Sequence, residues 1–380
     1  MQFRDLNAQY MNHKDKLDGA ISRVLDSSRY IGGDEVKELE KELAAFAGTK
    51  HCISCGNGTD ALELVLMAWG IGPGDAIFVP SFTFFASAEV VASVGATPVF
   101  CDVLPDTFNL DPTSLEQAIQ KTIEDGKLTP KAIIPVDLFG LPADYPKIQK
   151  IADKYNLLIL EDGAQGFGGH INIDGKVKRA CSFGDAATTS FFPAKPLGCY
   201  GDGGAIFTND DALAELLSSL KVHGKGSNKY DNIRIGINSR LDTIQAAILR
   251  EKLIFFKEEE LEAVQNVFSW YSEYLSDLAD QGKLILPTIP ENYYSSFAQY
   301  TIRLNSNEER EILQNKLKEA GIPTMIYYPR GMHQQTAFQG KCETPVSLEV
   351  TENLCDTVLS LPMHPYLNEE DILKVCQKII

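Results

Sequence analysis

Between residues 50 and 210, short runs of apolar and β-branched residues alternate with stretches whose apolar positions recur every three or four residues. A strand-like period followed by a helical one, repeated along the chain, is the mark of a mostly parallel sheet with helices packed on its faces. Strands are expected at seven places: Cys52 to Cys55, Ala76 to Pro80, Thr97 to Val103, Ala132 to Leu138, Leu157 to Glu161, Ala186 to Phe191, and Gly204 to Thr208. Helices are expected at Asp60 to Trp69, Phe85 to Val94, Pro112 to Ile123 and Tyr145 to Tyr155. The fold class is therefore α/β.

A chain of 380 residues exceeds one minimal core, at roughly 100 to 200 residues per domain. A long helical pattern from Leu241 to about Leu275, followed by a polar stretch with Pro287 and Pro290, places the boundary near residue 250. Residues 1–250 are expected to form a large domain with an N-terminal arm. Residues 251–380 are expected to form a smaller α/β domain with strands at Gln299 to Leu304 and Thr324 to Tyr328.

Several classes of function are disfavoured. The net charge of −17 repels nucleic acid and anionic membrane alike. No apolar run spans a bilayer and the first residues lack a signal-peptide pattern, so a cytoplasmic location is expected. The eight cysteines are scattered and read as reduced, buried thiols. Cys52-Ile-Ser-Cys55 has redox or zinc spacing but sits in an apolar strand without a second pair, and no metal site is expected.

Three features carry chemistry. The run Leu157-Leu-Ile-Leu ends in Glu161-Asp162, which puts an acid at the carboxyl end of a parallel strand, where α/β sheets bind ligands. A buried carboxylate there needs a positive partner. Lys195, between Ala194 and Pro196 after an aromatic strand end, is not placed for solvation, although a surface lysine at a turn is the plain alternative. Cys55-Gly-Asn-Gly58-Thr59-Asp60 leads from strand to helix, where free N–H groups and the Thr59 hydroxyl suit a phosphate; a simple capped turn reads equally well. An anion anchor, a partner for a protonated pyridine and an imine-forming amine are together what pyridoxal phosphate requires.

The chain also resembles the DegT/DnrJ/EryC1/StrS sugar aminotransferases. The resemblance rests on Tyr30-Ile-Gly-Gly-Asp-Glu-Val, Gly58-Thr-Asp-Ala-Leu, Pro80-Ser-Phe-Thr-Phe, Glu161-Asp-Gly-Ala-Gln, Ser190-Phe-Phe-Pro-Ala-Lys-Pro-Leu-Gly, Gly201-Asp-Gly-Gly-Ala and Asn238-Ser-Arg-Leu-Asp-Thr-Ile-Gln. It implies the fold of type I pyridoxal-phosphate enzymes, with a seven-stranded mostly parallel sheet. By the same resemblance Lys195 forms the imine with the cofactor and later shuttles a proton, while Asp162 holds the pyridine nitrogen protonated. Gln165 would bond the phenolic oxygen, Phe84 stack on the ring, and Gly58, Thr59 and Ser190 bind the phosphate. Asn238 would reach the phosphate of a neighbouring subunit, implying a homodimer with shared sites. Two positions depart from the family pattern: Gly163 stands for its usual alanine and Gly166 for its usual His or Ser.

The resemblance further implies transfer of the amino group of L-glutamate, through pyridoxamine phosphate, to a keto sugar carried by a nucleotide. Lys195 is present where dehydrating relatives have histidine, which favours transamination. The form of the Asn238 motif looks like that of members acting at C3, with a UDP-linked 3-keto-N-acetylglucosaminuronate as best match and glycan biosynthesis as the setting. A 4-keto substrate and a non-catalytic regulator are the alternatives. The basic segment holding Lys221, His223, Lys225, Lys229, Arg234 and Arg240 suits a nucleotide diphosphate, or is an ordinary solvated loop. Arg234, Tyr327, Tyr328 and His333 match family segments at the substrate pocket. Arg234 suits a uronate carboxylate or a phosphate equally, and His333 alone reads as structural.

Overall fold

The computed structural model describes residues 1–228 and 230–380. After two helices, α1 (Leu6–Ser27) and α2 (Asp34–Ala47), the chain enters β1 (His51–Cys55), β2 (Asp75–Pro80), β3 (Thr97–Cys101), β4 (Thr129–Ile133) and β5 (Leu158–Asp162). Between them run α3 (Gly58–Ala68), α4 (Ala86–Ser93), α5 (Pro112–Asp125) and α6 (Tyr145–Tyr155). A hairpin, β6 (His170–Ile173) and β7 (Lys176–Arg179), precedes β8 (Ala186–Ser190), β9 (Gly204–Thr208) and α7 (Asp211–Leu220).

Seven of these strands form one sheet in the order β1-β9-β8-β5-β4-β2-β3. Wherever a helix crosses between neighbouring strands the pair is parallel, as for β2 with β3 and β4 with β5. The segment from β8 to β9 carries no helix, so the chain doubles back and β9 lies antiparallel to β8 and β1. Both faces of the sheet are covered. Ile77 and Val79 point into a core with Leu64, Val65 and Ile206, while Phe78 packs on the other side with Leu115, Ile148 and Ile159. Asn57, Asp111, Asp144 and Asp210 cap the helices that follow them by accepting from main-chain N–H groups.

Two expectations need correction. The strand expected over Ala132 to Leu138 begins and ends earlier, at Thr129–Ile133. Pro135 has no N–H to give the ladder, and Asn109 then draws the chain away, accepting from Leu138 N at 3.0 Å and donating to Leu141 O at 2.9 Å. The strand expected at Thr324 to Tyr328 reduces to one bridge between Met325 and Ser360, in a segment bracketed by Pro323 and Pro329.

The helical pattern from Leu241 is α8 (Thr243–Phe255) and α9 (Leu261–Asp280), joined by one wider π turn at Phe256–Glu260. Past it, β10 (Tyr293–Tyr294) pairs with β6. A second core gathers where β11 (Tyr300–Arg303) pairs with β12 (Val358–Leu361), covered by α9, α10 (Asn307–Glu319) and α12 (Glu369–Ile379). The helix α11 (Glu349–Thr357) runs directly into β12. No helix among the described residues is long and apolar enough to cross a membrane.

Candidate active site

The carboxyl ends of β5 and β8, the start of α3 and the 326–335 segment enclose a cavity of about 910 Å³. Asp162, Gln165, Gly58, Thr59, Ser190, Phe84, Lys195, Tyr327 and Tyr328 all line it. Sequence positions up to 270 residues apart, from Gly58 to Tyr328, thus meet in one hollow.

Asp162 is the last residue of β5 and is 4% exposed. Its Oδ2 accepts from Ser87 Oγ at 2.7 Å and its Oδ1 from Ala164 N at 3.2 Å. Ser87 is itself held by Thr83, hydroxyl to hydroxyl, at 3.0 Å. Burial pushes the Asp162 carboxyl above the usual carboxylate range, while these bonds and the Lys195 charge pull it back. The site is one where a carboxylate awaits a cation.

Lys195 lies in the loop from β8 to β9, which is pinned by bonds of 2.7 Å from Phe191 N to Gly203 O and from Cys199 N to Phe191 O. Gly198 lets the loop close on itself, because a Cβ there would stand 2.5 Å from Pro193 O. Burial pushes the Lys195 amine below its usual value, with Asp162 opposing the shift and Arg4 adding to it. A lowered amine pKa enlarges the share of the neutral, nucleophilic form at a given pH. Its Nζ stands 5.9 Å from the Phe84 ring centroid, on the face of a side chain that is half exposed to the cavity.

The strand-to-helix turn is a close meeting of three segments. Asn57 caps α3 by accepting from Asp60 N at 2.8 Å, and Gly56 N donates to Ser239 Oγ at 2.8 Å. A Cβ on Gly58 would lie 2.7 Å from Ser190 Cβ, so only glycine lets the Ser190 hydroxyl sit beside the helix start. The opening N–H groups of a helix have no partner inside it, and those not taken by the Asn57 cap make, with the Thr59 and Ser190 hydroxyls, a cradle that an anion would fit. Gln165 is oriented by Phe139 N, which donates to its Oε1 at 2.9 Å, and its Nε2 donates to Tyr328 Oη at 3.1 Å.

Three expected site residues stand apart from this cavity. Arg234 lines a separate open hollow with His223 and Lys225 and donates to Ser219 Oγ at 2.6 Å. Asn238 is exposed and bridges Val222. His333 lies behind the wall: its Nδ1 is 2.7 Å from Ser81 Oγ and its Nε2 3.2 Å from Glu352 Oε1, while Met332 and Gln335 face the cavity. Of the other basic residues, Lys221 donates to Ser54 O at 2.7 Å and pairs with Glu40 at 3.3 Å; Lys229 lies outside the described residues. The sequence pattern does not single out Ser87, Thr83 or Arg4. Only the four-residue spacing of Thr83 and Ser87 at a helix start hinted at the first two.

The residues present fit pyridoxal phosphate. Asp162 suits its pyridine nitrogen, the depressed Lys195 amine its aldehyde, and the Gly58–Thr59–Ser190 cradle its phosphate.

A model of the DegT/DnrJ/EryC1/StrS aminotransferase family matches residues 12–380. The UDP-2-acetamido-2-deoxy-3-oxo-D-glucuronate aminotransferase of Pseudomonas aeruginosa is 48% identical over 376 residues, covering 99% of this chain and 98% of the relative. The UDP-N-acetyl-3-dehydro-alpha-D-glucosamine 3-aminotransferase of Acidithiobacillus ferrooxidans is 41% identical over 375 residues, covering 99% of this chain and 96% of the relative. A crystal structure of a DegT DnrJ EryC1 StrS aminotransferase from Brucella abortus superposes with a TM-score of 0.95 at 51% identity, covering 100% of this chain and 98% of that one. On the full-length match and on the cavity built around Lys195 and Asp162, the chain belongs to the DegT/DnrJ/EryC1/StrS aminotransferase family.

Proposed function

We propose that this protein moves the amino group of L-glutamate onto C3 of a UDP-linked 3-keto sugar, with a 3-oxo-N-acetylglucosaminuronate as the substrate that best fits. The observation that carries the reading is the depressed Lys195 amine facing one cavity with buried Asp162 and the anion cradle. The choice of C3 and of the uronate rests on the likeness to the Pseudomonas aeruginosa and Acidithiobacillus ferrooxidans relatives, both named for amination at C3.

Pyridoxal phosphate, when bound, supplies an electron sink that lets a proton leave the donor carbon. Lys195 would tether it through its amine and, once released, would serve as the base that takes up and returns that proton. Asp162 would keep the pyridine nitrogen protonated. Gly58, Thr59 and Ser190 would hold the phosphate, Gln165 would orient the phenolic oxygen, and Phe84 would cover one ring face. Tyr327 and Tyr328 bound the space left for the sugar.

The protein works as a homodimer in this reading. Asn238 and Arg234 are exposed on a loop that also exposes Ile233 and Ile235, apolar side chains that a second copy would cover while the polar pair enters its site. The setting is cytoplasmic synthesis of a glycan precursor.

The test is an absorbance spectrum of the purified protein with pyridoxal phosphate, before and after L-glutamate. Loss of the visible band in favour of a near-ultraviolet one establishes the first half-reaction. Return of the visible band on adding a UDP-3-keto sugar, and not a 4-keto sugar, establishes the second. A protein that never forms the visible band is not an aminotransferase, and the regulator reading would replace this one.

A further inference from the structure

The N-terminal arm reaches the catalytic loop from the far end of the sequence. Arg4 Nη2 donates to the main-chain carbonyl of Lys195 at 2.8 Å, across 191 positions. That carbonyl belongs to the peptide before Pro196, which contributes no N–H, and the loop around it has no regular structure to hold it. Its own N–H donates to Phe192 O at 2.8 Å, so Arg4 supplies the other half of the restraint.

The arm itself is fastened on both sides of Arg4. Phe3 O accepts from Met363 N at 3.3 Å, and the Phe3 ring meets the Tyr327 ring edge-on at 6.2 Å. Asp5 caps α1 by accepting from Ala8 N at 2.8 Å. The guanidinium is buried beside Glu260 and Tyr366, with Tyr327 also facing it. Glu260 is in turn fixed by Gln9 Nε2 at 2.7 Å and Tyr366 Oη at 2.5 Å. The basic groups whose values Arg4 helps to lower are Lys252, whose amine is pushed down to about 8, chiefly by burial, and His364, pushed down to about 4, chiefly by burial, and so neutral near pH 7.

We infer that Arg4 is a positioning residue: by donating to the Lys195 carbonyl, with Glu260 and Tyr366 balancing its buried charge, it fixes the main chain of the lysine so that only its side chain moves during turnover. This inference rests on the reading of Lys195 as the cofactor-bearing lysine. The Arg4 charge also disfavours a proton on the Lys195 amine, against the effect of the Asp162 carboxylate.

The full-length protein loaded with pyridoxal phosphate is compared with its Arg4→Ala, Arg4→Met and Arg4→Lys variants. Arg4→Ala should slow the single-turnover reaction with L-glutamate about tenfold, the scale of one lost charge-assisted hydrogen bond. KM for glutamate should hardly change, and the pH midpoint of the visible band should rise. Arg4→Lys should recover most of the rate and return the midpoint. If Arg4→Ala does not fold, Arg4→Met decides, since it keeps the buried stem and removes the donors. A wild-type rate and midpoint in whichever of the two folds overturns the inference. A wild-type protein with no visible band instead refutes the role of Lys195, before any variant is made.

Discussion

The Ser87 hydroxyl donates to Asp162 Oδ2 at 2.7 Å, from the first turn of α4 to the end of β5. Asp162 is buried, and burial favours its neutral form; each donor to the carboxylate favours the anion. Replacing Ser87 with Ala therefore moves the Asp162 pKa further up, and the acid limb of kcat/KM moves to higher pH. A charge-assisted hydrogen bond is worth about 1.5 to 3 kcal/mol, so kcat should fall roughly tenfold or more at pH 7. Ser87→Thr keeps the hydroxyl and should restore both. An unchanged pH profile in Ser87→Ala would remove Ser87 from the site.

Lys195→Ala should abolish turnover while the cradle still retains the cofactor without a covalent bond. The measurement is product formation beside the protein-bound absorbance after gel filtration. Turnover at the wild-type rate would sink the assignment of Lys195.

Most of the sheet was legible because each strand run is short, apolar and bounded by a helical pattern, and the last residue of β5 was legible because Glu161-Asp162 breaks an apolar run. What escaped was set by partners distant in sequence. Nothing in Val358–Leu361 marks it as the partner of β11, since α11 runs into it without a turn. Thr324 to Tyr328 has strand-forming residues but lacks a second edge to pair with beyond Met325. The proposed cofactor residues carry their own motif, whereas Ser87 and Arg4 meet the site only through Asp162 and the Lys195 carbonyl. Arg234 and Asn238 lie exposed and away from the cavity, and only the proposed second copy would bring them to a site.

Gly58→Ala tests the cradle. The new methyl would stand 2.7 Å from Ser190 Cβ, closer than carbon atoms approach. Either α3 shifts or the end of β8 does, and both carry the proposed phosphate donors. Overpacking of this kind costs about 1 to 3 kcal/mol, which should appear as weaker cofactor retention in equilibrium dialysis with pyridoxal phosphate. An affinity equal to wild type would show that the phosphate is held elsewhere.

Asp137 and Glu161 give the fold a built-in pH dependence. Both are fully buried, and Asp137 Oδ2 has no donor although Glu161 lies beside it, so the pair is satisfied only with a proton between them. Burial raises Glu161 well above the carboxylate range and Asp137 from 3.8 to about 7. The folded state thus holds a proton that the unfolded chain releases. Stability is whole below pH 3.8 as far as this group goes, and is lost as pH rises toward about 7, by at most about 1.4 kcal/mol per pH unit. In Asp137→Asn the amide keeps the acceptor for Ala143 N and Tyr145 Oη and donates to an ionised Glu161. Its melting temperature should therefore vary less between pH 5 and pH 7 than that of wild type. Equal slopes would mean that the proton is not shared.

The same Asp137 explains why residue 166 is glycine. A Cβ on Gly166 would lie 2.4 Å from both Cβ and Oδ2 of Asp137, and Gly166 N is tied to Gly163 O at 3.1 Å, so the loop has no room to retreat. Gly166→Ala should destabilise the protein by about 1 to 3 kcal/mol and, because Gln165 is the preceding residue, weaken the Gln165–Tyr328 contact at the cavity. Asp137→Gly removes the opposing side chain, and the two changes together should cost less than the sum of each alone. A double-mutant cycle by urea denaturation measures this directly: additive losses would mean that the two residues do not compete for the space, and that glycine at 166 has another cause.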